Sequence, residues 1–471
     1  MNLSERENRS VYRLYLVLFW ILAMVFSWFF RKQGEFFLDD ILLPVLTVLG
    51  VIWLVRHWKG MKPAAVLLSA LAAWYVFTRL VNSNPFTTDN LMSVMELLAA
   101  VFVAFPLAAS LGRRTRSRAP VMIGALDVFL LGVIAWIAVI ASLRQELFIP
   151  PLTSNMIIGI SDTYNRLDVL HMHPNLSAVM FSAAFGLSLY LFAAVKNKWW
   201  RALIVLGGVG LFFAVALTVS RTAMVVAALE AGGFAYLACF RRVKLRQAFL
   251  RALAAIAVAA VVFTVALLGL FSSIDFVNDI ASLENAATLP VQTAQTTPAS
   301  TPAADAAAEA KATPAASDSF VDRDHVDNNI RTLSSRTEIY AAVKPAMQKR
   351  PVTLLIGNAI DQVVPALQDA LGWEAYHWHN SFIQTLMTAG VPALLLILAF
   401  SGLLVAKGVC IVLDQSMSMA EQALVLPVAG LFLHGVLEAF LFVSFGLQNM
   451  LFFLLAGFLF AVPNKHKILT M

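Results

Sequence analysis

The sequence predicts an all-α polytopic membrane protein of about 12 transmembrane helices, with one long outer loop that holds a short helical lid. Three observations carry this reading. Of 471 residues, 60% are hydrophobic and 13% charged, against about 25% charged in soluble domains. Apolar runs of about 20 residues recur along almost the whole chain, each long enough to cross a hydrocarbon core roughly 30 Å thick. Between two of these runs lies a single long insertion, acidic where the rest of the chain is basic.

Taken in order, the runs are 11–30, 36–55, 63–81, 91–111, 121–141, 172–195, 200–219, 221–240, 248–271, 381–406, 422–441 and 444–462. The first lacks a small-residue cleavage site and is expected to stay as a span. Residues 202–240 contain only Ser220, Arg221 and Thr222 as a polar break. One helix that long would measure about 60 Å, too much for a single crossing, so a tight turn is expected there.

Lys and Arg counts set the orientation, because cytoplasmic connections hold the excess. The N-terminus and every second connection carry 21 of them, and the alternate short connections carry six. Both termini are therefore expected in the cytoplasm, and the net charge of +6 reads as a topology signal and not as a nucleic-acid footprint. Cys239 and Cys410 give neither a disulfide framework nor a metal spacing.

The chain then divides into spans one to nine (1–272), the outer loop (273–378), and spans ten to twelve with the cytoplasmic C-terminus (379–471). The loop holds 13 Asp and Glu against 7 Lys and Arg. Its 286–318 stretch is Ala, Thr and Pro rich, too poor in large apolar groups to offset its ordering entropy, and reads as a disordered tether. Within 326–350 a helical lid is expected. Ser335 followed by Glu338 forms a capping-box signature, and Pro351 follows the basic end of the helix.

On this topology the polar residues near the outer span ends fall into four segments: "HMHPN" (171–175), "SRTA" (220–223), "IRTLSSRTEIY" (330–340) and "YHWHNS" (376–381). Together they describe a cationic, histidine-bearing pocket at one membrane surface. Arg221 lies between two apolar runs with no acid nearby in sequence, and its guanidinium fork suits phosphate. Arg336 falls in the first turn of the lid helix, where the helix N-terminus also favours an anion. Two arginines can stabilise a leaving diphosphate, and a histidine can take the proton of an acceptor hydroxyl.

Plainer readings stand beside this one. Arg221 can snorkel to headgroups, Trp373, Tyr376, His377 and Trp378 can sit at the interface as anchors, and Asn175 or Asn380 can cap a helix. His171/His173 and His377/His379 form two His-x-His pairs, but residues two apart on a helix point about 200° apart, which disfavours a chelate. Deeper lie Glu230 and the His434/Glu438 pair, read as a proton path or as ordinary interhelical hydrogen bonding.

The segments "T-x-S-R-T-A" (218–223), "HPN" (173–175) and "H-N-S-F-I-Q-x-L…G" (379–390), with a long outer loop before the last spans, resemble the O-antigen ligase and polymerase family over roughly 165–460. The resemblance implies a metal-independent, inverting glycosyltransferase of the bacterial inner membrane, without a cofactor, whose active site faces outward. Its donor would be a glycan on undecaprenyl diphosphate. Lipid A core, a growing polysaccharide or a protein hydroxyl would accept. On this resemblance His379 is the base, and Arg221 and Arg336 (or Arg331) hold the diphosphate, with His173, Asn175, His377 and Asn380 as further substrate contacts. The rival class is a lipid-linked-glycan flippase, against which no inverted repeat or pair of broken helices is found.

The topology is open to a direct check. Cysteines placed at Ala303 and Gly372 should react with an impermeant thiol reagent in intact cells, and one at Thr115 should not. The opposite pattern would invert the orientation.

Overall fold

A computed structural model describes residues 63–82, 118–145, 158–161, 166–169, 174–242, 248–288, 336–358, 360–372, 378–442 and 447–463, with scattered positions at 97–112 and 147–148. The expected spans 11–30 and 36–55, most of 91–111 and most of the 286–318 tether lie outside the described residues.

The described chain is helical apart from one hairpin. Its elements are α1 (Pro63–Asn82), α2 (Arg118–Leu143), β1 (Ile158–Ser161), β2 (Arg166–Val169), α3 (Pro174–Ala194), α4 (Lys198–Leu217), α5 (Arg221–Arg242) and α6 (Ala248–Thr288). The segment that follows gives α7 (Arg336–Ala341), α8 (Val343–Lys349), α9 (Thr353–Ile356) and α10 (Ile360–Leu371). Last come α11 (Ser381–Leu413), α12 (Met419–Ala423), α13 (Val425–Leu437) and α14 (Leu447–Ala461). Eight helices among the described residues are long and apolar enough to cross a membrane, and α14 is a shorter apolar helix.

Apolar side chains on all sides make these segments helices, since in hydrocarbon every backbone N–H and C=O must find its partner within the segment. α3 lies at the centre and is buried along nearly its whole length. Around it pack α2, α4, α5 and α13. Small residues let backbones approach: a side chain at Gly132 of α2 would meet the Cα of Gly207 in α4. Beside that crossing Trp136 donates its indole N–H to the Leu206 carbonyl at 2.9 Å.

Several elements depart from the sequence reading. The predicted break at 220–222 is real: α4 ends at Leu217 and α5 starts at Arg221. The ninth run does not stop at 271, because α6 continues to Thr288 and takes the start of the expected tether into a helix of 41 residues. Conversely, the eleventh run is not one helix to 441. α13 ends at Leu437, and Glu438 is extended (φ −141°, ψ 154°). The β1–β2 hairpin, paired antiparallel from Ile158 with Val169 to Ser161 with Arg166, was not expected. Its alternation is too short to stand out beside runs of 20 apolar residues.

The helices expected within 326–350 are described from Arg336, and helical structure continues to Leu371. α7, α8 and α10 share a small core of Ile339, Ala342, Ala346, Val363 and Leu367, closed over Met387 of α11. Trp378 is completely buried in this core and is not a headgroup anchor. Where α9 ends, the chain meets the kink of α11. Gly357 (φ 72°) packs on the backbone of Thr388 and Ala389, and Gly390 (φ 77°) packs on the backbone of Leu355 and Ile356. Only glycine provides both the left-handed backbone and the missing Cβ that such contact demands.

Gly357→Ala should therefore destabilise the protein clearly more than Gly372→Ala. Gly372 shares the left-handed conformation (φ 76°) but has open space around it, so alanine there bears only the conformational cost of about 1–2 kcal/mol. Thermal unfolding of both variants in detergent checks the order, and equal shifts would show that Gly357 does not pack on the Thr388 and Ala389 backbone.

Candidate active site

The site begins with a helix cap. Asn380 is extended and its side-chain oxygen accepts the N–H groups of Phe382 (2.8 Å) and Ile383 (3.0 Å), starting α11. Its amide N–H donates to the Val436 carbonyl at 2.7 Å, which ties the cap to the end of α13. Ser381 works alongside: its hydroxyl donates to the Glu438 carbonyl (2.9 Å) and accepts from the Leu441 N–H (2.9 Å). These bonds hold the turn after α13 against the start of α11, and they assign Asn380 a structural task.

His379 precedes the cap with φ 49°, a left-handed conformation that is uncommon for a residue other than glycine and that clusters at functional positions. The hydroxyl of Tyr340, from α7, donates to its carbonyl at 3.0 Å. Burial pushes the Tyr340 phenol up from its ordinary value, opposed by the nearby Arg336 cation and a hydrogen bond with Asn380, so the hydroxyl keeps its proton for this bond. The result is an imidazole aimed by its backbone, 28% exposed, with Nδ1 3.1 Å from Oε2 of Glu438.

Glu438 joins the segments. Its Oε1 accepts from Arg336 Nη2 at 2.6 Å and, more weakly, from the Asn175 amide at 3.4 Å. The carboxylate is 9% exposed, so these charge-assisted bonds act with little screening. Asn175, in the first turn of α3, also accepts from Arg166 Nη2 at 2.9 Å. Arg166, on β2, donates through Nε to the Thr218 carbonyl at 2.6 Å. That bond fastens the hairpin to the turn of Thr218, Val219 (φ 52°) and Ser220 that presents Arg221 at the N-terminus of α5.

Arg221 has no hydrogen-bond or ion-pair partner among the described residues, and Arg336 is close enough to act on it electrostatically. Arg336 has Nε buried and unpartnered although Nη2 is engaged. Two neighbouring guanidinium groups, with a helix N-terminus at Arg221, are the chemistry that would suit an anion.

The family comparison now has geometry to refer to. Residues 206–398 match the family described as O-antigen ligase. The chain carries an O-antigen ligase domain. It is an enzyme of the ligase and polymerase kind, set among membrane-spanning helices. No curated protein and no solved structure matches the chain. Arg221, Arg336, His379 and Asn380 fall inside the matched O-antigen ligase segment, whereas Arg166, Asn175 and Glu438 lie outside it.

Of the residues singled out in the sequence, His379, Arg336, Asn175 and Asn380 are brought together, with Arg221 beside Arg336. Arg331, His171, His173 and His377 lie outside the described residues. Two participants were missed. Glu438 was read as a partner of His434 within one span, but α13 stops at Leu437 and the carboxylate turns to the site. Arg166 counted only as a loop charge. A glutamate inside an apolar run was the available signal for the first, and nothing in the sequence marked the second. His434 forms an interhelical hydrogen bond instead, Nε2 to Ser182 Oγ of α3 at 2.6 Å.

Coupling between Arg336 and Glu438 should be measurable. Removing one partner of a buried pair costs up to about 3–5 kcal/mol, much of it from stranding the other charge. Arg336→Ala/Glu438→Ala should thus be less destabilised than the sum of the single variants, by about 1–3 kcal/mol in thermal or denaturant unfolding. Strict additivity would show that the pair does not form.

Proposed function

We propose that this enzyme transfers a glycan from undecaprenyl diphosphate to an acceptor hydroxyl at the outer face of the inner membrane, with inversion and without a metal. The donor is taken from the family resemblance. What supports the chemistry is one observation: a single carboxylate, Glu438, holds both the imidazole of His379 and the guanidinium of Arg336.

That arrangement divides the work. With Glu438 ionised, Nδ1 of His379 carries the proton and Nε2 the lone pair, the tautomer a general base needs. Nε2 takes the proton of the acceptor hydroxyl as its oxygen attacks the anomeric carbon. The bond to the diphosphate oxygen breaks on the opposite face, and the electron pair leaves with the lipid diphosphate. Attack and departure on opposite faces invert the anomeric centre. Glu438 stabilises the imidazolium, and Arg221 and Arg336 stabilise the charge that grows on the diphosphate. Lipid A core, a growing polysaccharide and a protein hydroxyl are all acceptors this chemistry admits.

In a purified assay with a lipid-diphosphate-linked glycan, His379→Ala should lose about 100- to 10,000-fold in transfer while donor binding persists. Arg221→Ala should lose about 100- to 1,000-fold, and Arg221→Lys should lose less, because the charge stays and the fork is gone. His377→Ala and chelator treatment should leave most activity. Near-normal transfer by His379→Ala, or lipid movement between leaflets with no glycan transfer, would overturn the reading.

A further inference from the structure

The outer segment does more than cover His379. Between α8 and α10 it makes a turn, 352–358, whose two sides differ. Thr353, Gly357 and Asn358 face the protein and are buried. Thr353 donates its hydroxyl to Asn358 Oδ1 (3.0 Å), and the Asn358 N–H donates to the Met387 carbonyl (2.7 Å). Asn82, the last residue of α1, donates to the Ile356 carbonyl at 2.8 Å. The other side shows Val352, Leu354 and Leu355, 44–59% exposed.

The partners of the turn fix its depth. Ala389 and Gly390 lie eight or nine residues into α11, which is about 12 Å along the helix from Ser381. On α1, a span of 20 residues, contact is made at the last turn by Asn82, while Trp74 donates its indole N–H to the Ala389 carbonyl from two turns further in. A loop lying clear of the spans could not pack on α11 that far from its start while bonding to the end of α1. The exposed side of the turn also continues into outward-facing apolar residues of those spans, Phe77, Leu80 and Val81 of α1 and Leu395 of α11. An open apolar groove lined by Trp74, Phe77, Pro392 and Leu395 begins within one turn of Gly390 on the same two helices. Immediately before the turn, Lys344 and Lys349 of α8 are exposed, Lys349 beside the exposed Asp369 of α10 at 3.8 Å.

We propose that the 352–356 turn is a membrane-inserted anchor, with Val352, Leu354 and Leu355 among the lipid acyl chains and Lys344 and Lys349 at the phosphate level. Apolar burial at roughly 25 cal/mol per Å² and cation attraction to anionic headgroups both act in that pose. The anchor sets α7 and Arg336 at the depth where the headgroups of a lipid-linked donor lie. The lid is thus seated in the leaflet and not hinged above it. This inference stands on the position of the turn and not on the transfer chemistry.

The test is a spin-label depth measurement on the full chain in phosphatidylethanolamine/phosphatidylglycerol vesicles, with the free Cys239 and Cys410 replaced by alanine. A nitroxide at Leu355→Cys should collide with oxygen severalfold more often than with a water-soluble nickel chelate. A nitroxide at Lys344→Cys should show the reverse. Val352→Cys and Leu354→Cys read the same face if Leu355→Cys fails to elute as a folded protein. Nickel access at all three turn positions equal to that at Lys344 would overturn the anchor, whatever the transfer assay gives.

Discussion

The carboxylate of Glu438 is the interaction on which the site depends. It stands at the end of α13, where the helix has run out of length and the chain turns extended, and it receives groups from three other parts of the chain. Arg336 comes from the start of α7, His379 from the entry to α11, and Asn175 from the entry to α3. A carboxylate only 9% exposed is costly unless its lone pairs are filled, and here each oxygen has a named donor. Its energetic need and the assembly of the site are one condition.

Around this point the backbone has been given little freedom. Asn380 caps α11 and also grips Val436, Ser381 bridges to Glu438 and Leu441, and Tyr340 holds the carbonyl of a left-handed His379. Arg166 reaches from the hairpin to the turn before Arg221. Such cross-bonding keeps His379 and Arg221 in position without the loss of rigidity that loops ordinarily bring. The α7–α10 segment is held in another way, by Gly357 and Gly390, each packed on the opposite backbone, and by a small core that includes Trp378.

A second buried carboxylate shows the contrast. Glu230 lies 3% exposed within α5, its carboxyl crowding Gly186 and Gly430, and neither oxygen has a partner among the described residues. Glu438 at a helix end meets donors from two other segments, whereas Glu230 inside a span sits against glycines of neighbouring helices. The glycines at 186 and 430 leave the room that it occupies.

The sequence by itself determined the class, because apolar runs of span length and a low charge content leave no other way to satisfy the backbone than helices in lipid. It also determined the chemistry on offer: the break at Ser220, the cap at Asn380, and the identities of His379, Arg221 and Arg336 follow from local rules of turns, caps and charge. Only the tertiary structure decided which of these meet. Glu438 looked like part of a helical face because its run of apolar neighbours continues beyond it, and the end of α13 is fixed by packing at Ser381 and Asn380, 57 and 56 residues away from their partners. Arg166 carried no local mark, since its partners Thr218 and Asn175 are set by the fold. Likewise, the burial of Trp378 and the seating of the 352–358 turn arise from contacts between distant segments. Local sequence fixes what a residue can do, and long-range packing fixes what it faces.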